Sequence, residues 1–494
     1  MSPRPSTAGS RPIAIVGGGI SGLAVAYELA RLGAEFTLFE ASDRLGGIVE
    51  TVHAQNFVIE CGPDSWVTEK PWAKELAIEL GLEDRILSSN DHRRRTYLVK
   101  NTAGLPTLVP IPDGMRMMVP TQWEPLLESS LFSEEARQSY LHEPERAQEL
   151  RSAAVGRGDE SVAAFVRRHF GEEVTRTIAG PLLAGIFGGD IESLSVRAVM
   201  PTFVAMEAEH GSLITALEQR VKGPKFPNQS IFSSLSSGLG TLIERLASRL
   251  PKASVELQQP VSSLSRAGED WRLITPAGQE NFHSVVLATP AHITRSLLAA
   301  IGGSGPRMAE LLPERASSAV VVALAFDAPQ AARIDIPRGF GFLVPPVAAS
   351  SDDQTELHGL LACTFVDQKF THRAPDGAVL LRAFFGGSVA DALSNGSDES
   401  LIQLAREQLA RVLAPQETAL PEPAYALVRR WPLSLPQYAV GHLDRITELD
   451  ALANSWTGLH LVGNAYHGVG LPDLIRDGRS TARNLLKQAG RKTS

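Results

Sequence analysis

The 494-residue sequence has only two cysteines, Cys61 and Cys363, and they lie far apart. That scarcity excludes a disulfide framework and a cysteine-rich zinc site, and it suits a reducing cytoplasm. A basic surplus is also missing. The formal net charge of −8 argues against a nucleic-acid partner held by phosphate neutralisation. No run of about 18 apolar residues occurs, so no bilayer-spanning helix is predicted. The first eleven residues, MSPRPSTAGSR, lack the apolar core of a secretory signal. Neither a Ser-His-Asp constellation nor a metal-spaced His/Cys cluster is visible, and there is no internal repeat. What remains is an ordinary globular composition, 43% hydrophobic and 21% charged, long enough for two to four domains.

Two glycine-rich helix starts stand out, more than 400 residues apart. The first is PIAIVGGGISG (12–22). Ile13–Val16 reads as a compact buried strand, Ile20–Leu32 carries helical spacing, and Phe36–Phe39 is a second strand ending at Glu40. Gly17-x-Gly19-x-x-Gly22, with Gly18, Ile20 and Ser21 between them, has the spacing of a dinucleotide cradle. Gly17 permits the turn, Gly19 admits a pyrophosphate, and Gly22 lets helix pack on strand. Glu40 stands where a carboxylate accepts bonds from a ribose. The second start is LVGNAYHGVGLPDL (461–474), where Gly468 and Gly470 precede a helix with Pro472 in its first turn. A long cofactor explains both. One helix start holds the pyrophosphate, and the other points its positive end at the far ring system. A single domain is then assembled from discontinuous segments.

After Glu40 come Ala41, Ser42, Asp43, Arg44, Leu45, Gly46 and Gly47. Arg44 can meet a phosphate, although alone it could be a solvated charge. The string E-A-S-x-R-L-G-G resembles the flavin amine oxidase superfamily, where it continues the FAD site. IECGPDS (59–65), RWPLSLPQYAVGH (430–442), GNAYHGVGLPDLIRDGR (463–479) and the stretches 169–201 and 369–377 are similar to the protoporphyrinogen and coproporphyrinogen III oxidase family, from about residue 12 to 490. The resemblance implies an α/β protein with three parts. These are a Rossmann-like FAD domain (11–91, 236–298, 443–494), an α+β substrate domain with a mixed sheet (206–235, 299–442), and a helical domain contacting a membrane (92–205). It also implies six-electron oxidation of a porphyrinogen to a porphyrin in haem biosynthesis, with molecular oxygen as acceptor and hydrogen peroxide as product.

Carried over by resemblance, further FAD contacts fall at Ala41, Ile48, Gly62, Pro63, Asp64, Ser65, Val261, Trp431, Val469, Gly470 and Leu471. The FAD is expected to be non-covalent, because the C-terminal turn has no cysteine. Substrate-wall candidates are Gly185, Phe340, Leu343 and Phe370, each of which could equally be core. Arg95, in HRRRTYLV (92–99), matches the position that pairs with a propionate, and Arg favours such bidentate pairing; Arg93 and Arg94 read as a solvated basic loop. Cys61 is assigned no chemistry.

Two alternatives stay open: an amine oxidase or carotenoid desaturase on the same fold, and a flavin-bound membrane-surface protein without turnover. Met115, Met117, Met118 and Val119 beside Arg116 form a candidate membrane-facing loop; lining a channel or packing internally are its other readings. The expected location is cytoplasmic, with peripheral membrane contact at most.

Overall fold

The computed structural model describes residues 12–102, 104–222, 230–345, 357 and 359–491. Its first sheet has five parallel strands in the order Val255–Glu256, Phe36–Phe39, Ile13–Val16, Ser284–Leu287 and Leu459–Leu461. The central strand is IAIV because both its faces are covered. Ile13 and Ile15 enter one core and Ala14 and Val16 the other, so the apolar run is continuous rather than alternating. On one face lie the helices Ile20–Arg31, Gly240–Ser248 and Leu471–Arg491. On the other lie Ala291–Ala299, His442–Asn454 and a three-stranded meander over 263–282. Strands from both ends of the chain therefore share one sheet, as the two glycine turns require.

The second sheet has seven strands, ordered Tyr425–Pro436, Ala316–Phe326, Val379–Gly386, Leu360–Phe365, Gly341–Leu343, Thr96–Thr102 and Leu105–Pro110. Neighbours run antiparallel except Gly341–Leu343 with Thr96–Thr102, which makes the sheet mixed. Residues 96–110, placed with the helical part by the sequence, thus belong to this sheet; their partner strand lies some 240 residues away. A third core is helical and gathers side chains from Leu98 to Leu217. It includes Met206, Leu213 and Ile214, so the helical layer runs beyond the expected end at 205.

Two prolines of this layer lie where helices begin. Pro125 is in the first turn of Trp123–Glu128 and Pro181 in that of Gly180–Phe187, where a missing N–H is harmless. The loop read as a membrane contact turns inward: Met118 and Val119 are fully buried, and Met115 and Met117 pack on the same core. Among the described residues no helix is long and apolar enough to cross a membrane.

Candidate functional site

The first glycine turn is shaped by three different constraints. Gly17 has φ +106°, and a side chain there would come within 2.6 Å of the Ala288 carbonyl oxygen. A β-carbon on Gly22 would collide with the Gly17 carbonyl, so the helix sits close against the strand. Gly19 differs: nothing lies within 4 Å of where its β-carbon would be. It caps Ile20–Arg31 with no side-chain hydrogen bond, and no acid occupies the first turn, so the helix amides are left for an anion. Ile20 and Ser21 are buried beneath it. These features fit a cofactor pyrophosphate.

Glu40 is anchored on both oxygens. Gly18 N–H donates to Oε2 at 2.6 Å, and the Ser42 N–H and hydroxyl both donate to Oε1 at 2.8 Å. Val261 is buried two residues beyond Gln259, whose N–H donates to the Glu40 carbonyl at 2.8 Å. Exposed Ala41 opens the loop that returns through Gly46, whose N–H donates to Gly18 O at 2.8 Å. Arg44 braces that loop rather than reaching outward. It donates to Gly47 O at 2.6 Å and Leu45 O at 3.3 Å, lies 3.5 Å from Glu50, and sits over the Trp431 ring. Ile48 is exposed just past it.

A second segment, Gly62–Ser65, is held by charges that the sequence reading left out. Arg382, almost wholly buried, donates to Gly62 O, and Trp431 Nε1 donates to Cys61 O at 2.7 Å. Asp64 takes an ion pair from Lys369 at 2.8 Å and lies 3.4 Å from Arg382. Burial opposes its ionisation, but the two cations hold its carboxyl well below the usual range. Ser65 donates to Asp64 Oδ1 at 2.6 Å, and half-buried Pro63 lies between the Gly62 carbonyl and the Asp64 carbonyl, which accepts from the Ser234 hydroxyl at 2.7 Å. The Asp64 side chain thus serves the loop itself. Lys369 lies in the stretch 369–377 that carries the family resemblance. Arg382 was signalled only by being the one charge in the apolar run VLLRAFF.

At the C-terminal turn, Gly463 and Gly468 have φ +137° and +151°. Asp473, in the first turn of Leu471–Arg491, is buried and neutralised by Lys70 at 2.6 Å and Arg476 at 3.4 Å. It therefore does not cancel the positive helix end. Gly470 receives Leu474 N–H on its carbonyl, Leu471 is buried, and Val469 packs on the helical core. The two glycine-started helices touch: a β-carbon on Gly478 would come within 2.7 Å of Ser21 O, and Glu28 of the first helix bonds Arg479 and Arg483 of the last. Both supports are one rigid unit.

The wall candidates divide. A β-carbon on Gly185 would stand 3.5 Å from Leu343 Cδ2, and Leu343 and Val469 pack on one core, so these three share a region. Phe340 donates its N–H to Arg95 O at 2.8 Å. The Arg95 side chain is half-exposed and lies 3.7 Å from Asp113, itself exposed. Phe370 is fully buried between the cations of Lys369 and Arg373, 5.4 and 5.6 Å from its ring, so it packs as core and offers no face to a cleft. Cys61 is inert, its thiol pushed up to about 12 by burial. Among the described residues no group of three or more His, Cys, Asp or Glu could hold a metal ion.

A family model described as flavin containing amine oxidoreductase matches residues 20–486. The coproporphyrinogen III oxidase of Bacillus subtilis (strain 168) is 33% identical over 491 residues, covering 97% of this chain and 98% of that one. The chloroplastic protoporphyrinogen oxidase 1 of Arabidopsis thaliana is 28% identical, over 95% and 86%. Among solved structures, an Exiguobacterium sp. 255-15 protein provisionally named protoporphyrinogen oxidase superposes with TM-score 0.81 and 32% identity, over 96% and 98% of the two chains. Putrescine oxidase, at TM-score 0.66 and 18% identity over 97% and 99%, shares the fold.

Proposed function

Because the chain belongs to the flavin containing amine oxidoreductase family, among its porphyrinogen-oxidising relatives, we propose that it is an FAD-dependent porphyrinogen oxidase. The substrate is coproporphyrinogen III or protoporphyrinogen IX, and the product is the corresponding porphyrin of haem biosynthesis. The reaction removes six electrons and six hydrogens, balanced by three molecules of dioxygen reduced to hydrogen peroxide. The full-length likeness to porphyrinogen oxidases carries this reading. The fold alone would equally suit an amine oxidase.

The cofactor, bound non-covalently, supplies the two-electron acceptor. This chain's residues supply position. Gly17–Gly22 and Glu40 would hold the nucleotide end, Gly62–Ser65 and Trp431 would hold the middle, and Val469–Leu471 would hold the ring end. Nothing in the assigned set needs to be a strong acid or base, since placing a reactive carbon against a flavin is chiefly a matter of orientation. Gly185, Leu343 and Phe340 form apolar wall. Arg95, whose weak pairing with Asp113 is easily exchanged, takes a propionate.

Purified protein given each porphyrinogen in air is expected to release peroxide and gain porphyrin fluorescence. Failure on both porphyrinogens, with turnover of an amine, would replace this function. Arg95→Ala is expected to raise KM by roughly 10- to 100-fold, the value of one charge-assisted pair, with the flavin absorption spectrum unchanged. Flavin loss in that variant would show that Arg95 belongs to the cofactor site.

A further inference from the structure

Tyr438 and His442, the two rings of PQYAVGH (436–442), have no part in the assignments above, yet they hold the second glycine turn directly. The Tyr438 hydroxyl donates to the Asn464 carbonyl at 2.6 Å, and His442 Nε2 donates to the Tyr466 carbonyl at 2.8 Å. The rings stack in parallel, 4.0 Å between centroids and 10° between planes, and both are buried. Asn464 Nδ2 answers with a bond to Ser434 O at 2.8 Å. Burial keeps the His442 ring neutral at ordinary pH, with its pKa lowered to about 4, so its single N–H is the one given to Tyr466.

The other side of the run is fixed as firmly. Tyr438 O accepts from Ser195 N–H at 2.7 Å, Val440 N–H donates to Ser193 O at 3.0 Å, and Gly441 N–H donates to Asp159 Oδ2 at 2.7 Å. Gln437 Nε2 donates to Phe187 O at 2.8 Å, and Gln437 N–H to Arg315 O at 2.9 Å. Helical layer and mixed sheet thus grip one end of the clamp and the glycine turn the other. Between the clamped carbonyls and Gly470 lies Gly468 in a conformation open to glycine, a stretch with little stiffness of its own.

We propose that Tyr438 and His442 are a positioning pair that sets the second helix start against the flavin ring, and through that distance sets the flavin reduction potential. This rests on the FAD part of the proposed function and is independent of which substrate is oxidised. A helix end acts only across its first turn, so a small displacement of Gly468–Leu471 changes how well negative charge on the reduced ring is stabilised. Paired rings serving only packing would affect stability alone.

The test compares holoprotein of the wild type, Y438F, H442L, H442Q and Y140F by midpoint potential and melting temperature. Tyr140 is the control: it is buried in the helical layer and donates to Met118 O at 2.9 Å, the same chemistry away from the turn. Y438F is expected to weaken the preference for reduced flavin about tenfold, about 30 mV for a two-electron couple, or to shed flavin while melting like Y140F. Y140F is expected to lower the melting temperature without moving the potential. H442Q, which keeps a donor for Tyr466, is expected to stay nearer the wild-type potential than H442L. If Y438F does not fold, the two His442 variants decide. A potential in Y438F equal to that in Y140F, or H442Q and H442L shifted alike, overturns the pair's role. Wild-type protein that binds no flavin would instead overturn the cofactor reading itself.

Discussion

Gly19→Ala is expected to fold within about 1 kcal/mol of wild type, the cost of alanine at a helix N-cap, and to purify colourless. The residue's φ of −69° and ψ of 178° suit alanine, and no protein atom lies within 4 Å of the added carbon. The added carbon would therefore meet no protein atom, and on the proposed reading it would stand where the pyrophosphate approaches the helix amides. FAD affinity is expected to fall at least about 100-fold, roughly 2.7 kcal/mol, as read by fluorescence titration of the apoprotein. Gly17→Ala and Gly22→Ala do not separate the two effects. One forces alanine to φ +106° against Ala288 O and the other drives it into Gly17 O, so both disturb the strand–helix join itself. A Gly19→Ala protein that takes up FAD as tightly as wild type would place the cofactor elsewhere.

That turn was legible because its signals are local. The strand, the three glycines and the acid at the end of the next strand lie within 28 residues, and both buried faces of IAIV leave a continuous apolar run. The split of the parallel sheet between the chain's two ends followed from the second glycine turn. Thr96–Thr102 and Leu105–Pro110 were not legible as sheet, since their neighbour Gly341–Leu343 is joined by a pairing that sequence proximity cannot announce. Phe370 reads as a substrate-wall aromatic in KFTHRAPDG until its two flanking cations are seen to enclose it. Arg382 and Lys369 carry the Gly62–Ser65 loop, but a charge in a strand or at a helix end looks the same in sequence whether it faces water or a buried carboxylate. Motif residues whose partners are backbone carbonyls, such as Tyr438, are equally silent: no partner side chain marks the contact.

Glu28→Ala is expected to cost about 2–3 kcal/mol, the loss of a buried carboxylate's charge-assisted hydrogen bonds. Glu28 is wholly buried in the first helix. It accepts from Arg31 at 2.6 Å, Arg479 at 2.8 Å and Arg483 at 2.7 Å, the last two on the C-terminal helix. Arg31 and Arg483 are half-exposed and can return to water. Arg479 is mostly buried and keeps Glu79 at 2.8 Å, which limits the loss. Burial alone would raise the Glu28 pKa, yet the arginines hold it down to about 2, from an ordinary 4.5. Its folded value lies below its unfolded one, so its contribution is complete above about pH 4.5 and fades as pH falls towards about 2. Glu28→Gln should therefore flatten that acid limb in denaturant titrations while lowering stability at neutral pH. Because the two helices begin at the two glycine turns, the same variant is expected to weaken FAD binding with neither turn touched. Unchanged FAD affinity alongside the stability loss would mean that each turn is held by its own strand. The ion cluster would then be packing between helices rather than the joint that keeps both ends of the cofactor site in register.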